Sequence, residues 1–167
     1  GRIGKIVAGF GTAFGMNVMI WGSESSRGRA IDDGLLAAQS QEEFFSQADV
    51  LSIHLRLVEA TQGIVTEADL TRMKHDALFV NTSRAGLVEP NALARSLRAG
   101  RPGFAAIDVF DDEPISDALH PLLSMDNVLA TPHIGYVEQD NYESYFGTAF
   151  DNILAFLAEE PNNRMLR

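Results

Sequence analysis

The sequence predicts a doubly wound α/β domain, a parallel sheet with helices on both faces. Three observations carry that prediction. Short apolar runs of strand length alternate with helix-patterned segments, as parallel strands joined by crossover helices require. The 167 residues suit one domain and can bury a substantial core. No repeat, low-complexity tract or interdomain linker breaks the alternation.

Arg2–Phe14 is expected to be helical, with Ile3, Ile6, Val7, Phe10 and Phe14 close to one face. Gly9 and Gly11 weaken that helix, which implies close packing against a neighbour. Asn17–Trp21 (NVMIW) reads as a short buried strand, Gly22–Gly28 (GSESSRG) as a polar loop, and Arg29–Ala37 as a short helix. Gln41–Gln47 gives another helix and Val50–His54 (VLSIH) a strand. Thr66–Met73 opens on a capping threonine with acidic residues in its first turn. Ala77–Asn81 is the next strand. Glu89–Arg98 is a helix with Pro90 in its first turn and Gly100 after its end. Phe104–Val109 and Val128–Ala130 are further strands, and Glu138–Glu159 is a long closing helix ended by Pro161.

Composition narrows the function classes. An apolar fraction of 46% and six scattered prolines indicate a folded globule. The net charge of −10 leaves no basic footprint for nucleic acid. The absence of cysteine excludes disulfides, thiolate metal sites and cysteine nucleophiles, and it fits a reducing compartment. No apolar run approaches the roughly 18 residues of a membrane span, and no signal peptide is visible. The expectation is a cytoplasmic protein without a membrane partner. Histidines and carboxylates do not cluster at ligand spacing, so no metal is expected.

Chemistry enters with the glycines. Gly1-Arg2-Ile3-Gly4, taken alone, is either the second and third glycines of a G-x-G-x-x-G fingerprint or two glycines at a helix start. In the first reading a glycine admits a pyrophosphate to the backbone and the helix offers free N–H groups. Three later stretches add weight: Val80–Gly86 (VNTSRAG), Ile107–Pro114 (IDVFDDEP) and Thr131–Gly135 (TPHIG). In that order and spacing, with Phe14–Val18 (FGMNV), Leu51–Leu55 (LSIHL) and Gly63–Val65 (GIV), they resemble the D-isomer-specific 2-hydroxyacid dehydrogenase family over essentially the whole chain.

The resemblance implies a Rossmann-like dinucleotide-binding domain and hydride transfer between a small D-2-hydroxy acid and its 2-oxo acid. It implies a catalytic set of Arg84, Glu113 and His133. Their chemistry suits the reaction: Arg84 has a planar fork for a carboxylate, His133 exchanges a proton near neutral pH, and an adjacent Glu113 would orient the imidazole. The same carry-over sets Gly1, Arg2, Ile3 and Gly4 against the pyrophosphate and His54, Arg56 and Thr61 on the adenosine side. Thr82, Ser83 and Arg84 would pass near the nicotinamide ribose, Asp108 would hold the carboxamide, and His133 and Gly135 would complete the nicotinamide face. A homodimer pairing through this domain is also implied.

Plainer roles compete at each position. Arg84 could serve a structural salt bridge, Glu113 could be a solvated loop acid, His133 a loop contact and Asp108 a turn-capping acid. His75 and His120 read as surface loop residues. Tyr136 either shapes the pocket or packs in a core.

Several positions depart from the family pattern. Gly22 stands where many members carry an aspartate that binds the adenosine ribose. The choice between NAD and NADP is therefore open, with NAD slightly favoured by the resemblance; Ser23, Ser25, Arg27 or Arg29 could receive a 2′-phosphate, or Glu24 a ribose hydroxyl. Arg56 replaces a common proline and Ala85 a common glycine. The family's first strand and first fingerprint glycine, and most of its substrate domain, have no counterpart here. Residues 1–150 are read as the dinucleotide-binding domain and 151–167 as the helix end and the start of a return to the substrate domain. A piece of this extent is expected to be inactive by itself. Two other readings stay open: a non-catalytic nucleotide-binding regulatory module, and another dehydrogenase on this scaffold acting on formate or phosphonate.

Overall fold

A computed structural model describes residues 1–115 and 120–160. The expected return segment and Pro161 lie outside the described residues. The chain divides into two compact units, Gly1–His133 and Ile134–Arg167. In the second, helix α6 (Gln139–Leu157) has no buried residue and exposes aromatic and aliphatic side chains, including Tyr145, Phe146, Phe150 and Ile153.

The first unit holds two parallel sheets. Strands β1 (Met19–Ile20) and β2 (Leu36–Ala37) form a pair, with Met19 opposite Leu36. Strands β3 (Val50–Ile53), β4 (Leu78–Asn81), β5 (Phe104–Ile107) and β6 (Val128–Ala130) form a four-stranded sheet in sequence order. The parallel α/β class read from the sequence is the architecture found.

Helix α1 (Arg2–Ala13) precedes β1, and its apolar face is largely exposed within the described residues: Ile3, Ile6 and Phe10 all face solvent. Close packing at its glycines holds for Gly11, where an added Cβ would come 2.9 Å from Val18 Cγ2. It does not hold for Gly9, which faces open space.

The expected loop at 22–28 is mostly helix. Helix α2 (Glu24–Asp32) begins because the Ser23 hydroxyl accepts the Ser26 N–H and Glu24 complements the helix dipole. One interior glycine, Gly28, costs only about 1 kcal/mol relative to alanine, too little to stop it. The helix then ends at Asp32, and Leu36–Ala37, expected to be helical, pairs with β1 instead.

Helix α3 (Gln41–Gln47) is capped by Ser40, and α4 (Glu67–Arg72) by a reciprocal Thr66–Asp69 box. Buried Asp69 also accepts from Gln41 Nε2 at 2.9 Å, so its charge is well partnered. Helix α5 (Ala92–Arg98) starts two residues later than Pro90 suggests, because Asn91 takes φ 61° and turns the chain before the first helical residue. Gly100, at φ 85°, closes it in the left-handed conformation.

Alternation along the strands sets the core. Leu51, Ile53, Phe79, Ala105 and Ile107 point to one face and pack with Phe45 of α3, Leu70 and Met73 near α4, and Leu93 and Leu97 of α5. The opposite face is half-open, with Val50, Phe104 and Leu129 exposed. This is why β3 and β5 alternate in burial rather than being buried throughout. No described helix is long and apolar enough to cross a membrane.

Candidate active site

The carboxyl ends of β3, β4, β5 and β6 bring together most of the residues singled out by sequence. At β3, His54 follows the strand directly and its Nε2 lies 3.0 Å from the Ser52 hydroxyl. Burial of the ring pushes its pKa down, which favours neutral imidazole. The first turn of α1 meets this histidine: a Cβ built on Gly4 would lie 3.4 Å from His54 Cβ. Gly1 has open space beside it. The first intrahelical bond runs from Lys5 N–H to the Gly1 carbonyl, so the N–H groups of Arg2, Ile3 and Gly4 have no partner within the helix. Glycines at positions 1 and 4, three N–H groups without a helical partner and the positive helix end together fit a pyrophosphate.

The next loop is fastened by Thr61. Its hydroxyl accepts the Val58 N–H at 2.9 Å and donates to the Arg56 carbonyl at 2.7 Å. Arg56 itself is exposed.

Strand β4 ends at Asn81, and that residue shapes the turn after it. Its side chain is buried; Oδ1 accepts the Ser83 N–H at 3.0 Å and Nδ2 donates to the Arg84 carbonyl at 2.9 Å. Such a local amide bridge fixes a turn that the backbone could not hold alone. The Ser83 hydroxyl donates to the Leu55 carbonyl at 2.7 Å, tying the turn to the neighbouring strand end. Thr82 and Arg84 are then exposed on the loop. One guanidinium N–H of Arg84 is used on the Ser83 carbonyl, at 2.5 Å.

Beyond β5, Asp108 is 3% exposed. Its N–H donates to the Asn81 carbonyl at 3.0 Å and its Oδ1 accepts the Thr131 hydroxyl at 2.5 Å. The chain then turns so that Glu113 folds back. Glu113 Oε1 accepts the Phe110 N–H at 2.8 Å, and Oε2 lies 2.6 Å from His133 Nδ1. The hydrogen bond from His133 holds the Glu113 carboxyl below the ordinary carboxylate range, and the Phe110 N–H lowers it further. Partial burial opposes these effects, and the charge of Arg84 adds a smaller lowering field. An ionised Glu113 accepts from Nδ1–H, which turns Nε2 outward as the exchanging atom.

His133 sits at φ 53°, the left-handed region unusual for a side-chain-bearing residue. Its N–H donates to the Thr131 carbonyl at 3.0 Å, closing a three-residue turn over Pro132.

Glu113 and His133 are thus brought into contact, and Arg84 is close enough for its charge to be felt at Glu113. Gly135 belongs to the second unit. Of the two histidines read as surface loop residues, His75 is exposed. His120 is not a plain loop residue: it is half-buried, edge-on to Phe110 at 5.4 Å, and its Nδ1 accepts the Leu122 N–H. Asn81 and Thr131 lie inside the motifs, yet sequence reasoning gives them no role. A strand-final asparagine before a turn is a readable signal for the first. Nothing in the sequence marks the partner of the second.

At the carboxyl end of β1, Arg27 stacks over the Trp21 ring at 4.5 Å and donates to the Gly22 carbonyl. Arg29 donates to the Ser26 hydroxyl, which also accepts from Ser23. Glu24 stands exposed in the same turn. No carboxylate occupies position 22.

Residues 1–135 match the sequence model described as D-isomer specific 2-hydroxyacid dehydrogenase, NAD binding domain. Glyoxylate reductase of Aeropyrum pernix is 38% identical over 157 residues, which are 93% of this chain and 46% of that protein. A crystal structure from Ralstonia solanacearum, provisionally named a D-3-phosphoglycerate dehydrogenase oxidoreductase, is 58% identical with a TM-score of 0.92, covering 97% of this chain and 47% of that one. D-Lactate dehydrogenase of Aquifex aeolicus, complexed with NAD and lactic acid, is 28% identical with a TM-score of 0.74, covering 96% and 52%. The chain therefore spans about half the length of these relatives.

Proposed function

This chain belongs to the D-isomer specific 2-hydroxyacid dehydrogenase family, as its NAD-binding domain, and on that premise we propose that the full-length protein interconverts a small D-2-hydroxy acid and its 2-oxo acid. The observation that carries the reading is the His133 Nδ1–Glu113 Oε2 contact at 2.6 Å. A nicotinamide cofactor, when bound, supplies or takes the hydride.

The chain's own residues would do the rest. The N–H groups of Arg2, Ile3 and Gly4 would hold the pyrophosphate, with Gly1 giving it access; His54, Arg56 and Thr61 would border the adenosine side. Thr82 and Ser83 would flank the ribose nearer the nicotinamide, and Asp108 would accept from the carboxamide. Gly135 would border the nicotinamide in the complete enzyme. Arg84 would pair with the substrate carboxylate and polarise the oxo group. In reduction, His133 Nε2 gives a proton to the carbonyl oxygen; in oxidation it takes the proton from the hydroxyl. Glu113 holds the ring so that Nε2 faces the reacting oxygen and stabilises the imidazolium.

The enzyme is proposed to be a cytoplasmic homodimer. Sedimentation of the full-length protein at twice the protomer mass supports the dimer, and a monomer overturns it.

The test is NADH and NADPH oxidation by the full-length protein against glyoxylate, hydroxypyruvate and phenylpyruvate. His133→Ala is expected to lower kcat by about 10²–10⁴-fold, the usual worth of a positioned acid. Undiminished turnover in that variant rejects His133 as proton donor. Tight cofactor binding without turnover on any 2-oxo acid favours a regulatory nucleotide-binding module instead.

A further inference from the structure

We propose that Thr131 is a positioning residue for the nicotinamide end of the site, acting through Asp108. The inference rests on the reading that Asp108 accepts from the cofactor carboxamide. What it adds is how a buried carboxylate is aimed and kept ready to accept.

Asp108 is 3% exposed at the end of β5, where a carboxylate without donors would be costly. Its own N–H is used on the Asn81 carbonyl, which fixes its backbone but not its side chain. The Thr131 hydroxyl, 2.5 Å from Oδ1, reaches it from the neighbouring strand. The alternative acceptor for that hydroxyl, the Ile107 carbonyl, lies at 3.5 Å and cannot compete with a carboxyl oxygen at 2.5 Å. Thr131 is β-branched and follows β6 directly, so its rotamer is restricted and its hydroxyl direction well defined.

The same residue also accepts the His133 N–H through its carbonyl, at 3.0 Å. One turn therefore sets two things: the orientation of the carboxylate that would hold the nicotinamide, and the backbone of the residue that would exchange the proton. Hydride and proton transfer need the ring and the imidazole in register, and Thr131 spans both anchors.

The test uses the full-length enzyme and two cofactors, NADH and reduced 3-acetylpyridine adenine dinucleotide, whose acetyl group keeps the carbonyl but has no N–H to donate. The wild type is expected to favour NADH in kcat/KM. Thr131→Val removes the hydroxyl while keeping the shape, and is expected to reduce that preference about tenfold, the weight of one hydrogen bond to a charged group. Thr131→Ser is expected to restore most of it. A merely structural role would lower both cofactors alike and leave their ratio unchanged, and that result overturns the proposal. Asp108→Leu, which removes the acceptor oxygens, provides the separate control. If it leaves the ratio untouched, the assignment of Asp108 itself fails and Thr131's role fails with it. If Asp108→Leu collapses the ratio while Thr131→Val does not, only the role of Thr131 is rejected. Should Thr131→Val prove too unstable to assay, Thr131→Ala compared with Thr131→Ser gives the same ratio readout.

Discussion

Glu113 and His133 are joined at 2.6 Å, and the other oxygen of Glu113 is held by the Phe110 N–H at 2.8 Å. One carboxylate thus fixes an imidazole from beyond β6 against the turn leaving β5. Glu113→Gln removes the charge and puts an amide group in the place of one acceptor. Because the folded pKa of Glu113 is lowered from 4.5, its stabilising contribution is fully present above that value and is lost as pH falls through the lowered folded pKa. The Tm difference between wild type and Glu113→Gln should therefore shrink as pH falls below about 4.5. Thermal melts below that pH check this, and a difference that grows there contradicts it.

Asn81 is predicted to act on the substrate side through Arg84. Asn81→Asp would set a carboxylate oxygen against the Arg84 carbonyl where Nδ2 now donates at 2.9 Å. A buried group left without its partner costs about 1–3 kcal/mol. The expected outcome is a larger rise in KM for the 2-oxo acid than for the cofactor. Steady-state kinetics with each substrate varied in turn measure the split, and equal rises argue for a general loss of folding.

Gly22 marks the adenosine end. Space exists for a side chain there: an added Cβ would meet Ser26 Cβ at 3.5 Å, an ordinary contact. Gly22→Asp adds an anion beside the arginines, where it would repel a 2′-phosphate; like charges about 4 Å apart repel by about 4 kcal/mol at a partly screened site. The expected result is a fall of at least about tenfold in kcat/KM with NADPH and little change with NADH. If both fall together, the substituted aspartate is disturbing the loop rather than selecting the cofactor.

Two glycines should respond in opposite directions to alanine. At Gly103 an added Cβ would lie within 2.0 Å of the His75 carbonyl oxygen, which is backbone and cannot step aside cheaply. Gly103→Ala should therefore destabilise the protein by about 1–3 kcal/mol or more, lowering Tm by several degrees. Gly28 lies inside α2 with open space around it, so Gly28→Ala should raise Tm slightly through helix propensity. Calorimetry on the two variants reads both signs.

The sequence by itself determined the parallel α/β class, because strand-length apolar runs alternating with helix patterns allow little else. It also determined the family, through the order of VNTSRAG, IDVFDDEP and TPHIG. Local rules failed where tertiary pairing overrode them: Leu36–Ala37 looked helical but became a strand against β1, and Asn91, with its left-handed backbone, delayed α5 past Pro90. The meeting of Glu113 with His133, twenty residues apart, was expected only by analogy; the turn after β5 and the three-residue turn at Thr131 produce it. Asn81 carried a readable signal as a strand-final asparagine before a turn, but Thr131 was invisible as a site residue because its role lies in which carboxylate the fold sets within hydrogen-bonding distance. That is the physical division here. Periodicity and residue type record which elements form and what chemistry is present, while distances between the ends of adjacent parallel strands exist only once the sheet is assembled.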